Sequence, residues 1–131
     1  MNLYDIPLFG MLRVKMDWLS ARQETLAENI ANASTQNYKA KDIKPLDFED
    51  LLKRAKGLAA QTDVPQGQIA VTLGPKGYDP LDLRDGEMTP NGNSVVLEEQ
   101  MMKQSETQVQ FQTALDIYQK GLQMLRTAIG K

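Results

Sequence analysis

Asp82, Asp85 and Glu87 fall within six residues of one another, and grouped carboxylates are the raw material of general acid–base catalysis. Here they surround Asp85-Gly86, a dipeptide that reads as a turn and leaves such side chains in water. The chain has no His and no Cys. That removes imidazole bases, thiol nucleophiles, disulfides and the usual zinc ligands together. Ser, Tyr, Lys, Asp and Glu remain, yet no spacing sets a nucleophile beside a base and no phosphate-cradling loop occurs. The expectation is a protein without catalytic, cofactor-binding or metal-binding residues, one that works through its surfaces.

The elements available to shape those surfaces are few. The chain has 131 residues, room for one modest domain. It is 41% hydrophobic but only 6% aromatic, and it carries seven Met. Such a core is built from Leu, Ile, Ala and Met, and flexible Met fits surfaces that meet irregular neighbours. Fifteen basic and seventeen acidic residues are interspersed. No basic stripe marks a nucleic-acid binder, and no cationic amphipathic face marks a membrane-surface helix. The start, Met1-Asn2-Leu3-Tyr4-Asp5-Ile6-Pro7, lacks a cationic leader and a cleavage site, so no cleaved signal peptide is expected. No run approaches the ~20 apolar residues needed to span a bilayer.

Two long helices are expected at the chain ends. Over residues 8–31, Leu12, Met16, Leu19, Gln23, Leu26 and Ile30 recur at alternating spacings of four and three. That heptad seam keeps one stripe turned toward a partner helix. Met11, Val14, Trp18 and Ala21 form a second stripe beside it, and Asp5 is a plausible N-cap. Over residues 95–129 the same alternation joins Leu97, Met101, Gln104, Gln108, Phe111, Leu115, Tyr118, Leu122, Leu125 and Ile129. Ala114, Ile117, Gly121, Met124 and Ala128 flank it, and the small members would admit another helix closely. Gln23, Gln104 and Gln108 interrupt the seams, either to fix register or because they are exposed. Between the helices, Asp47 can cap a short helix through about residue 56, with Phe48, Leu51, Leu52 and Ala55 on one side and Gly57 as its stop. Residues 68–73 alternate like a short strand. Gly74-Pro75, Asp85-Gly86 and Asn91-Gly92 read as turns. The fold class is therefore mainly α. Residues 1–31 and 94–131 form an antiparallel coiled-coil-like pair of terminal helices, and residues 32–93 form a mixed middle with a small helix and a short strand or hairpin.

Two long apolar stripes with no third long helix to cover them point to neighbouring subunits. Copies packed through unlike faces give a ring or an open helical tube. The residues expected at such interfaces are Leu12, Met16, Leu19, Leu26, Ile30, Met101, Phe111, Leu115, Tyr118, Leu122, Leu125 and Ile129. A soluble coiled-coil adaptor or chaperone is the alternative reading.

The first helix ends in an unusual polar exit, Asn29-Ile30-Ala31-Asn32-Ala33-Ser34-Thr35-Gln36-Asn37-Tyr38-Lys39-Ala40. Asn29 and Asn32, three apart, can satisfy the last free carbonyls or turn the chain. Thr35 can close a local hydrogen-bonded turn, and Tyr38 can bury its ring while its hydroxyl stays bonded or wet. Lys39, Lys41 and Lys44 read as solvated. An apolar helix followed by Asn-hydrophobic-Ala-Asn, then Thr, then Tyr-Lys-Ala resembles the signature of the axial proteins of the bacterial flagellum. The motif residues are Asn29, Ala31, Asn32, Thr35, Tyr38, Lys39 and Ala40. The continuation through Asp42, Ile43 and Phe48, and Asn91-Gly92-Asn93-Ser94-Val95 before the last helix, are similar to the proximal-rod branch of that family. The family usually has Pro-Gly before the Tyr, where this chain has Gln36-Asn37. Asn tolerates the left-handed conformation that Gly would adopt. Val96 stands where the family often has an acidic residue, which leaves the second helix without an obvious cap.

The resemblance implies a non-enzymatic structural subunit of the basal-body rod, in the periplasmic space, assembling helically into a drive shaft that carries torque from membrane ring to hook. It implies export through the flagellar type III apparatus. The implied partners are copies of itself, other rod proteins, the membrane-ring protein and a small rod adaptor. No nucleic-acid partner and no membrane insertion are implied. Another rod subunit is the alternative within the family.

Overall fold

The computed structural model describes residues 7–60, 78, 80–82 and 96–130. The element order is α1 (Pro7–Ala31), β1 (Lys41–Ile43), α2 (Phe48–Ala60), β2 (Pro80–Asp82) and α3 (Leu97–Ala128). The architecture is mainly α. α1 and α3 run antiparallel, because Asn29 near the end of α1 meets Gln100 near the start of α3, while Phe9 meets Tyr118 further along α3. The expected N-cap Asp5, the strand-like residues 68–73, and the turns at 74–75, 85–86 and 91–92 lie outside the described residues.

α1 is buried along a wide arc rather than a single seam. Phe9, Val14, Trp18, Leu19, Ala21, Leu26 and Asn29 are all buried. Leu19 and Leu26 come from the expected seam, while Val14, Trp18 and Ala21 come from the second stripe. Both stripes are covered because α1 has neighbours on two sides. Phe9 continues the seam and packs edge-to-face on Tyr118, with ring centroids 5.4 Å apart. Trp18 instead donates its indole N–H to the Lys44 carbonyl at 3.0 Å. Trp18, Leu19 and Ala21 join Ile43 and Tyr78 in the core cluster, with Leu46 and Phe111 packed against it. Burial of this kind contributes about 25 cal/mol per Å² of apolar surface.

α2 starts where the sequence places it. Asp47 Oδ1 accepts the Asp50 backbone N–H at 2.7 Å, a side-chain cap on the first turn. The helix then runs through Gly57 to Ala60 instead of stopping. Gly inside a helix costs only about 1 kcal/mol relative to Ala, and Leu58, Ala59 and Ala60 are all helix formers that carry the pattern on. α2 lies tightly on α1: a Cβ added at Gly10 would come within 3.2 Å of the Ala55 Cβ. Gly10 is thus explained by a close helix approach.

β1 and β2 form a two-stranded antiparallel ribbon, with Lys41 opposite Asp82, Asp42 opposite Leu81 and Ile43 opposite Pro80. This pairing was not anticipated from the sequence, which reads as turn-like on both sides. α3 begins at Leu97 with Val96 as its N-cap, and no side chain caps it. Glu98 and Glu99 in the first turn complement the helix dipole, as does Arg126 in the last.

Candidate assembly surface and its anchoring junction

The polar exit of α1 is built around Asn29, which is fully buried. Its Nδ2 donates to the Lys41 carbonyl at 2.6 Å and to Gln100 Oε1 at 2.8 Å. Its Oδ1 accepts the Lys41 N–H at 3.0 Å and the Tyr38 hydroxyl at 3.3 Å. One amide therefore pairs with both backbone groups of Lys41 as a strand would, and also reaches α3. The helix-exit role falls to Asn32 alone. Its Nδ2 donates to the Glu28 carbonyl at 2.9 Å, and its Oδ1 accepts the Thr35 hydroxyl at 3.2 Å. Thr35 closes the turn a second time through its backbone N–H on the Asn32 carbonyl. Asn37 has φ +58°, the left-handed conformation anticipated for it. Ala40 is buried, Tyr38 half-buried, and Ala31 and Lys39 are exposed. Burial and then the nearby Glu28 push the Tyr38 hydroxyl above its ordinary range.

A second set of charged contacts holds β1 to α1. Arg22 grips Asp42 with two bonds of 3.0 and 3.1 Å. Asp42 Oδ1 also accepts the Ile43 N–H at 2.8 Å. Bidentate pairing of a planar guanidinium with a carboxylate is the strongest geometry such a pair can adopt. The guanidinium and the Lys15 ammonium lie 5.6 and 4.6 Å from the Trp18 ring centroid. Burial and then repulsion from Arg22 lower the Lys15 pKa. On the other side, Tyr78 donates its hydroxyl to Asp17 at 2.7 Å, under the Arg54 guanidinium 4.7 Å away. Lys41 reaches Glu28 at 4.0 Å, while Lys39 and Lys44 are exposed.

α3 presents a different picture. Its buried line is Gln100, Thr107 and Ala114, seven residues apart. Gly121 continues it: a Cβ there would lie 2.9 Å from the Phe9 ring. The expected stripe lies to one side of this contact. Phe111, Tyr118 and Leu125 sit beside it and are partly covered, as is Gln104. Leu115 and Leu122 are half-buried, and Met101 and Ile129 are 55% and 68% exposed. On α1, Leu12, Met16 and Ile30 keep partial exposure, whereas Leu19 and Leu26 have none. A flank of α3 carrying Met101, Leu115, Leu122 and Ile129 is thus left open next to the intramolecular contact. Met102, Val109, Ile117 and Met124 are exposed as well. Among the described residues, no group of acidic side chains is placed to hold a metal ion, and no helix is long and apolar enough to cross a membrane.

Paired terminal helices with an open apolar flank and a hydrogen-bonded Asn-Thr-Tyr exit define an axial assembly subunit. Residues 16–39, the second half of α1 and its exit, match the family described as flagella basal body rod protein. The chain is 34% identical over 114 residues to the flagellar basal body rod protein FlgB of Agrobacterium fabrum, covering 84% of this chain and 83% of the relative. It is 31% identical over 121 residues to the protein of that name from Yersinia enterocolitica, with 84% and 86% coverage. For the Bacillus subtilis protein the identity is 26% over 110 residues, with 82% and 81% coverage. The chain belongs to the FlgB family of flagellar basal body rod proteins, a family of structural subunits.

Proposed function

We propose that this chain is a proximal-rod subunit that works mechanically and without catalysis. Residues 1–31 and 94–131 serve as axial arms of one structural unit, and residues 32–93 are the middle segment that connects them in the sequence. The observation that carries this reading is the open flank of α3: Met101, Leu115, Leu122 and Ile129 lie in line beside a completed helix pair. Neighbouring rod subunits cover that flank, together with the accessible edges of Leu12, Met16 and Ile30. The buried Leu19 and Leu26 and the partly covered Phe111, Tyr118 and Leu125 shape the pair that presents it. Close-packed helices of this kind deform little, which suits a shaft that carries torque. The subunit reaches the periplasmic space through the flagellar export apparatus without a cleaved signal peptide. It contacts other rod proteins, the membrane-ring protein and the small rod adaptor. The relatives offer no support for a soluble adaptor or chaperone.

Deletion of the gene should abolish flagella and stop export of later subunits. Complementation with Leu115→Asp should restore the protein's level and export but not rod assembly. Flagellated cells after deletion would remove the assignment, and wild-type rods built from Leu115→Asp protein would remove the role of the flank.

A further inference from the structure

Two contacts fix how α1 and α3 slide against each other. Asn29 meets Gln100 at one end, and Phe9 meets Gly121 at the other. The contacts are 20 residues apart on α1 and 21 on α3, so both are satisfied in the same register. The line of α3 that faces α1, Gln100, Thr107, Ala114 and Gly121, repeats every seven residues, and the same spacing continues to the exposed Ala128. A slip of one heptad, about 10 Å at 1.5 Å per residue, would bring Thr107 opposite Asn29 and Ala128 opposite Phe9. Its hydroxyl can accept the hydrogen bond now accepted by Gln100. The same slip replaces Gln104, whose buried Oε1 has no partner among the described residues, with Phe111. The steric end is soft, because the atoms nearest a Cβ at position 121 are the far edge of the Phe9 ring. The opposite slip moves Gln100 away from Asn29 and leaves no described α3 residue facing it.

We propose that the Asn29–Gln100 hydrogen bond is the register lock of the helix pair, holding it against a near-equivalent packing one heptad away. A single buried polar pair sets alignment in this way in coiled coils, where apolar seams alone allow slippage. Gln100 supplies the acceptor that makes the observed register the better one. Replacing it leaves one Asn29 N–H unpaired in the interior, and the slipped register repairs that loss with Thr107.

The chain has no native Cys, so cysteines at exposed Ala27 and Gln123 can carry spin labels for distance measurement on the full-length protein. Wild type should give one distance. Gln100→Leu should add a second population shorter by about 10 Å, with helicity retained. Adding Ala128→Trp, at a position exposed in the observed register, should remove the short population and restore the single long one. An unchanged single distance in Gln100→Leu would overturn the proposal. So would a broad distribution with lost helicity, because a lock implies a defined second register.

Discussion

α1 and α3 are both long, yet they stand in the molecule differently. α1, with 25 residues, buries seven of them, including Trp18, Leu19 and Leu26. α3, with 32 residues, buries three, and these are Gln, Thr and Ala. α1 is enclosed by α2, the β1–β2 ribbon and α3, so large side chains on two of its faces reach the interior. The buried residues of α3 form one narrow line that is polar or small, with Phe111 and Tyr118 packed on the core and on Phe9 beside it. Its larger apolar side chains stand to either side. One helix is the chain's scaffold, and the other is a strip laid on that scaffold with much of its apolar surface exposed.

The largest way to break this comparison is a charge in the scaffold. Leu26→Asp places a carboxylate in a fully buried, apolar position and should cost about 4 kcal/mol or more. Circular dichroism with denaturant should show loss of a cooperative transition. A normal midpoint would mean that α1 is not the scaffold. Asn29→Ala tests the junction. It strands the Lys41 backbone groups and the Gln100 acceptor, and should cost about 2–3 kcal/mol in a urea titration. A loss below about 0.5 kcal/mol would show that water substitutes for the amide. Tyr78 sharpens the picture through pH. Burial, then its hydrogen bond to Asp17, holds the hydroxyl protonated far above its ordinary value of 10.0. Above about pH 10 the unfolded chain releases this proton while the folded one keeps it. Stability should therefore fall with rising pH, by up to about 1.4 kcal/mol per pH unit for one group. Tyr78→Phe should flatten that part of the profile, and an unchanged slope would deny the site its role. The smallest effect belongs to the open flank. Leu115→Asp should change monomer stability by about 1 kcal/mol or less while abolishing rod assembly in cells.

Much of this was legible where the causes are local. Asp47 caps α2, Asn37 takes the left-handed turn, and Asn32 with Thr35 closes the helix exit, because each acts within four residues of itself. Two terminal helices followed from periodicity. The centre of the α3 contact did not. Periodicity finds the apolar stripe, but the buried line of Gln100, Thr107 and Ala114, continued by Gly121 under the Phe9 ring, lies beside that stripe. Asn29 was legible as a motif residue but not as a hub, since its partners Lys41 and Gln100 lie 12 and 71 positions away. The ribbon was hidden for the same reason: strands of three residues carry almost no pattern, and their pairing joins residues nearly forty positions apart. α2 outran Gly57 because good helix formers follow the glycine.

The ribbon has a consequence for how such a subunit can vary. Ile43 lies directly opposite Pro80, so the chain that departs after β1 comes home to its own point of departure. Extra residues added between Ala60 and Tyr78 would lengthen the excursion without moving its root, and the entropic cost of a longer loop grows only logarithmically. Decorations of different size can hang from one shaft element while the spacing of its arms stays constant.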